Sequence, residues 1–273
     1  MRITLLAAAA AVAAAPAILM ADVANLGASK DNTLFFDPNG ELSSGAGPNL
    51  FAGKTLRGGD IRRGLIAFDT AAIPAGATIN SVELRLFMDM TISGSVPVSL
   101  HSVTSNWGEG TSSAGGGTGT QATTNDATWI HTFYTNAFWT TPGGDFDSTA
   151  SATTSVDQVG FYSWSSPAMV ADVQNWLDNG GNFGWLIMGD ESANGTAKRF
   201  VSREGGTPEN LPVLVVDYTP IPAPAGMLAF AGLPLLIRRR RCAGRSRPAP
   251  AQSHKNRSGW TIQNRLAAVV FVM

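Results

Sequence analysis

The sequence predicts an all-β protein: a jelly-roll-like antiparallel β-sandwich with one short helix. Three observations predict it. Short runs of alternating apolar and polar residues recur between turns rich in Gly, Ser, Thr and Asn, the pattern of half-buried strands. A single stretch carries apolar residues at helical spacing instead. The span 22–219 suits one all-β domain, long enough to bury a core without disulfides, and the only cysteine, Cys242, lies beyond it.

The elements follow in order. Residues 33–36 and 49–52 are short β-prone runs, and 64–68 (Gly64-Leu65-Ile66-Ala67-Phe68) is an apolar strand ended before Pro74-Ala75-Gly76. Residues 81–90 give the clearest strand. Val82, Leu84, Leu86, Met88 and Met90 share one face, and Glu83, Arg85 and Asp89 the other, with Phe87 among them. Residues 96–103 follow the turn Ser93-Gly94-Ser95 and read as a hairpin partner of that strand. The span 105–157 differs in character. It is polar and glycine-rich, with Trp107, Trp129, Tyr134, Phe138 and Trp139 scattered through it, and reads as long decorated loops. After a strand at 159–164, Ser166 can cap a helix and Pro167 suits its first turn. Met169, Val170, Val173, Trp176 and Leu177 form its single apolar stripe, expected to plug one end of the sandwich, and Gly180-Gly181 ends it. Strands at 184–188, 198–202 and 213–218 complete the domain.

Charge is unevenly placed. The whole chain has a formal charge of -1, yet all 20 Asp and Glu lie in residues 22–219, against nine Lys and Arg there, a net of -11 for the domain. A surface this acidic repels a phosphate backbone, so nucleic acid is excluded as a partner.

The two ends read as targeting segments. Arg2 and the apolar, alanine-rich stretch 3–19 have the form of a signal peptide over residues 1–21, with small residues allowing cleavage after Ala21 or after Ala17. At the other end, Pro220, Pro222 and Pro224 lead into an apolar run at 226–237, followed by Arg238, Arg239, Arg240 and Arg241. The run is short of the ~20 residues of a stable spanning helix, and Pro234 interrupts it. The arginines would stop transfer at the cytoplasmic face. Such a segment suits transient membrane insertion, with a plain C-terminal anchor as the alternative. Residues 242–273 form a basic, patternless extension.

The arrangement at 220–241 resembles the PEP-CTERM sorting signal of exosortase substrates, with Pro222-Ala223-Pro224 where that family carries Pro-Glu-Pro. This resemblance implies handling by an exosortase-type membrane peptidase as well as by signal peptidase. The domain itself resembles the DNRLRE family of secreted β-sandwiches. Asp31-Asn32-Thr33, the stretch from Arg63 to Asp69, Ile73-Pro74-Ala75-Gly76-Ala77 and Val82-Glu83-Leu84-Arg85-Leu86 carry its first half. Trp107-Gly108-Glu109-Gly110, Thr128-Trp129, Asp172-Val173 with Trp176, Asn182-Phe183-Gly184, the run from Phe200 to Glu204 and the run from Pro212 to Tyr218 carry the rest. The string that gives the family its name is absent. Relatives of this kind act as carbohydrate-binding modules or sit in surface and matrix proteins, so the resemblance implies an exported, non-catalytic protein of the cell surface or matrix.

Residue chemistry agrees with a non-catalytic reading. His101, His131 and His254 have no metal-ligand spacing, and no nucleophile elbow, P-loop or dinucleotide fingerprint occurs. No cofactor is implied. A pair of glycosidase carboxylates cannot be placed from spacing alone. Asp145 and Asp147 are weak calcium candidates, or solvated loop acids. Arg203 and Glu204 either form an ion pair that fixes the last hairpin or line a ligand face, and Arg63 stands where it can pair with a loop carboxylate. Trp107, Trp129, Trp139 and Tyr134 either stack on sugar rings or cover the core beneath the loops. A polysaccharide-binding module predicts these aromatics exposed. A purely structural or adhesive protein predicts them buried. An enzyme predicts a deep cleft holding two close carboxylates.

Overall fold

The structure, a computed structural model, describes residues 20–221. Residues 1–19 of the expected signal peptide, Pro222, Pro224, the arginine block and the basic extension lie outside the described residues. Within them run β1 (Asp22–Phe35), β2 (Leu42–Ser43), β3 (Asn49–Lys54), β4 (Ile61–Phe68), β5 (Thr78–Thr91), β6 (Val96–Ser102) and β7 (Thr120–Gln121). They are followed by β8 (His131–Phe133), β9 (Ala137–Phe138), β10 (Ala152–Val156), β11 (Gly160–Trp164), α1 (Pro167–Asn179), β12 (Trp185–Met188), β13 (Lys198–Val201) and β14 (Val213–Thr219). The fold is all-β, with antiparallel sheets and one α-helix.

The main ladders fall into two sets. In the first, β5 pairs with β14 along one stretch of its length and β13 along another, and β11 lies on its opposite edge. In the second, the order is β1, β4, β12, β6, β10. Two strands serve both sets. β1 pairs with β14 over Asp22 to Gly27, passes a bulge between Ala28 and Lys30, and then pairs with β4. β3 pairs with β13 and then, from Gly53, with β4. A bulge and a glycine turn strands at sheet corners because each relaxes the regular pleat. Gly53 has φ +115°, and a Cβ there would lie 3.0 Å from the backbone of Thr196 and Ala197.

The core forms where the inward faces meet. Val82, Leu84, Leu86 and Met88 of β5 alternate inward as expected and meet Val98 and Leu100 of β6, Ile66 and Phe68 of β4, and Trp164, Trp185 and Phe200. Each such fully buried apolar side chain contributes about 1.5–3 kcal/mol over exposure. The helix closes this core as its stripe predicts. Met169, Val173 and Trp176 are buried, and Val170 and Leu177 pack partly buried beside them. Ser166 accepts from the Met169 amide at 3.0 Å, and Gly180 stands at the C-cap with φ 75°. The Gln174 side chain fastens the helix to the sheet, accepting from the Ile79 amide and donating to the Ala77 carbonyl.

Two expectations about strand pairing are corrected. β5 and β6 do not form a hairpin. The turn at Ser93-Gly94-Ser95 crosses from one set of ladders to the other, because both edges of β5 are already taken and the two apolar faces are buried by facing each other. β13 and β14 likewise both pair with β5 and not with each other. Met90, placed on the core face by alternation, is 49% exposed. The β5–β13 register slips beside it, and the bulge ends the regular pleat there. The wholly buried Lys198 pins the crossing turn. Its ammonium donates to Thr91 Oγ1 and to the carbonyls of Ser93, Gly94 and Asp157, at 2.7–3.2 Å.

Candidate functional site

The loops between β6 and β10 build a second, smaller core. Leu34, Leu65, Ala67, Val103, Ala127 and Leu186 pack there with Trp107, Trp129 and Trp139. All three indoles are buried, at 1%, 7% and 5% exposure. Trp107 donates its ring N–H to the Phe183 carbonyl at 2.8 Å, and Trp139 donates to the Thr128 carbonyl at 2.9 Å. Trp129 is stacked under the Arg63 guanidinium, 5.1 Å from the ring centre, with Phe36 edge-on at 5.3 Å. The stacking role open to these residues in sequence is therefore corrected. A face already covered by protein cannot receive a sugar ring, and burying the rings gives a polar, glycine-rich span the apolar anchor it otherwise lacks. Tyr134 is half-buried. Its ring stands edge-on to His131, and its hydroxyl receives the Gln121 amide.

Above this second core lies an open cleft of about 610 Å³, lined by Arg63, Thr104, Ser105, Thr140, Thr141, Pro142, Gly144, Asp145, Phe146 and Ser148. Its rim is mostly exposed hydroxyls, those of Thr104, Thr140, Thr141 and Ser148. Arg63 forms one wall and is held fast. It makes a two-pronged pair with Glu191 at 2.8 and 2.9 Å and donates to the Gly143 carbonyl at 2.9 Å, so the loop carboxylate expected for it is Glu191. Asp145 organises the loop. It accepts from the amides of Thr140 and Thr141 and from the Ser105 hydroxyl. Burial pulls the Asp145 carboxyl up, and these donors more than offset it, leaving it below the ordinary carboxylate value.

These contacts give Asp145 the part of a loop acid, one of the two roles read for Asp145 and Asp147 in the sequence. Both Asp145 oxygens accept from loop donors, and Asp147 accepts from the Thr149 amide in a turn of its own. Among the described residues, the acidic group with metal-like spacing is Asp31, Glu109 and Glu204, which each offer an oxygen within 4.8 Å of the others.

Arg203 sits in that cluster, so it fixes something other than a final hairpin. Its guanidinium grips Glu109 with two bonds of 2.7 and 3.0 Å and meets Glu204 at 2.7 Å, while its backbone amide donates to Asp31 at 2.7 Å. The Asp31 amide in turn donates to Glu109 at 2.8 Å. Together they tie the segment after β13 to β1 and to the loop after β6. Burial pushes the wholly buried Asp31 carboxyl well above its ordinary value, with Glu204 and Glu109 adding to the rise. Glu204 is raised as well, by burial first and by Glu109 against the pull of Arg203. Lys30 lies close by, over the Trp107 ring at 4.1 Å and bonded to the Trp107 carbonyl. Burial lowers its ammonium to about 8, against the pull of Glu109. Sequence reasoning had Arg203 and Glu204 but missed Asp31 and Glu109, since Glu109 lies 94 residues from Arg203 and no local pattern links them.

No known protein family matches the chain, and no characterised protein does either.

Proposed function

We propose that this is an exported, non-catalytic surface or matrix protein whose sandwich takes a neutral polysaccharide in the hydroxyl-rimmed cleft between Arg63 and Ser148. The cleft carries this reading: it is open, rimmed by Thr and Ser hydroxyls, and has the half-buried Phe146 ring in its lining. Such groups suit the hydroxyls and C–H faces of a sugar chain. The domain charge of -11 disfavours acidic polymers and leaves neutral ones. Binding is favoured over hydrolysis because Asp145 is the one carboxylate in the lining, and it is held ionised by loop donors. A glycosidase needs one carboxyl protonated as its general acid, and a carboxyl held low does not take that part. The raised carboxyls of Asp31 and Glu204 lie outside this lining, and Asp31 is wholly buried.

In this reading the domain is a divergent DNRLRE module, supported by the ordered fragments from Asp31 to Tyr218. The segment 220–241 is a sorting signal for an exosortase-type peptidase, supported by the order of prolines, apolar run and arginines. Among the described residues no helix is long and apolar enough to cross a membrane. A second reading, a structural or adhesive protein without a glycan ligand, is favoured by the burial of Trp107, Trp129 and Trp139.

The test is binding of the full chain to a panel of neutral and acidic polysaccharides, beside a Thr104→Trp variant that fills the cleft from its exposed rim. Saturable binding to a neutral glycan, lost in the variant with the fold intact, supports the cleft. A folded chain that binds none of the panel moves the assignment to the structural reading.

A further inference from the structure

We propose that Asp31, Glu109 and Glu204 form a calcium site that ties β1, the loop after β6 and the segment after β13 together. Two independent observations point to a cation. The first is spacing. One oxygen from each residue lies within 4.8 Å of the other two, no farther apart than two ligands bound to one ion at about 2.4 Å can stand. The second is Asp31 itself. It is wholly buried, and its Oδ1 has no hydrogen-bond partner, although its Oδ2 receives the Arg203 amide. A buried carboxylate oxygen without a donor is costly unless something positive meets it.

The charge count shows why protein groups do not complete the site. Three carboxylates meet around Arg203, whose guanidinium bonds Glu109 and Glu204, while Asp31 receives only the Arg203 backbone amide. Lys30 is held away by the Trp107 carbonyl at 2.6 Å and the Asn106 side chain at 3.2 Å. Hard oxygens alone, with Glu204 exposed to admit water, suit calcium rather than a metal that prefers nitrogen or sulfur. Calcium and the Arg203 guanidinium compete for the same Glu109 oxygens, so the side chain of Arg203 weakens the site that its backbone helps to shape.

The experiment uses the full chain, stripped with chelator and titrated with calcium chloride by calorimetry, with thermal melts in calcium and in chelator. The expected result is one saturable calcium per chain and a higher Tm in calcium. Glu204→Gln, which keeps the size of the side chain and an oxygen to accept from Arg203, should weaken binding by about tenfold or more. Arg203→Gln should tighten it by removing the competitor. A folded chain with no saturable binding overturns the proposal. So does binding unchanged in both Glu204→Gln and Asp31→Asn, which would put the ion elsewhere. An Asp31→Asn chain that gains stability while the parent ignores calcium also overturns it, since the Asp31 oxygen would then hold a proton.

Discussion

Replacing Trp107 by alanine distinguishes an indole that packs from one that binds. The ring is 1% exposed, donates to the Phe183 carbonyl at 2.8 Å and carries Lys30 over its face at 4.1 Å. Deleting a buried Trp side chain costs about 3–5 kcal/mol in lost transfer energy and cavity. The orphaned carbonyl and the lost ammonium contact add about 1 kcal/mol or more. A total of about 5 kcal/mol, at roughly 2–4 °C per kcal/mol for a domain of this size, lowers Tm by about 10–20 °C. Trp107→Phe keeps most of the bulk and loses the N–H, so about 1–2 kcal/mol is expected, which keeps the series readable if the alanine variant fails to fold. The assay is thermal unfolding followed by far-UV circular dichroism, with glycan binding measured well below the transition. An alanine variant with unchanged Tm and lost binding would refute the reasoning, because it would put the indole on the ligand rather than in the core.

Other perturbations probe the frame around the site. Lys198→Met keeps the buried stem but strips the ammonium from Thr91, Ser93, Gly94 and Asp157, and should cost about 2–4 kcal/mol in denaturant unfolding. Gly53→Ala places a Cβ 3.0 Å from the Thr196 and Ala197 backbone at φ +115°, and should cost about 1–3 kcal/mol in the same assay, whereas Gly160, with nothing within 4 Å of a built Cβ, should accept alanine with little change. In chelator, the raised Asp31 carboxyl means the folded chain holds a proton that the unfolded chain releases. Its stabilising effect is full below the ordinary carboxylate value and is lost as pH rises through the raised one. Asp31→Asn should remove the Asp31 share of that fall in a series of melts from about pH 4 to 7, leaving the share of the raised Glu204 carboxyl, in a range below the value of about 8 to which burial lowers Lys30.

What the sequence made legible was what repeats locally. β5 and α1 were readable because each puts one face into the core at a fixed period, so Val82, Leu84, Leu86 and Met88, and Met169, Val173 and Trp176, announce themselves. The first half of β1 did not, because its core-facing positions are Ala24, Leu26 and Ala28, two of them too small to stand out. β10 was missed because four of its five residues are Ala, Thr or Ser and it pairs with β6 alone. Pairing was harder still. Alternation says that a strand has an inner face, and cannot say whether the next strand lies beside it or across the core, which is why β5 and β6 were joined wrongly. The tryptophans posed the same problem, since an indole in an aperiodic loop carries no phase by which to assign it inward or outward. The Asp31, Glu109, Arg203 and Glu204 cluster depends on contacts between distant segments and has no local signature at all.

The use of positive charge connects the fold to what the surface can recognise. The domain carries nine Lys and Arg, and six of them are engaged as fasteners. Lys30 holds the Trp107 carbonyl, Arg62 the Gly117 carbonyl, Arg63 Glu191, Lys198 a ring of carbonyls, Arg199 Asp89, and Arg203 Glu109. Each joins segments far apart in sequence, where a cation can satisfy several oxygens at once and so order loops too polar to bury themselves. Using cations this way leaves the outward field dominated by carboxylates. An acidic polymer meets that field at a cost, a neutral one meets it at little cost, and a divalent cation is drawn to it. The same allocation of charge that lets a glycine-rich, disulfide-free chain hold its loops thus favours both a neutral ligand at the cleft and calcium at Asp31. The two proposals share this electrostatic basis and can fail separately, since filling the cleft at Thr104 leaves the carboxylate cluster intact.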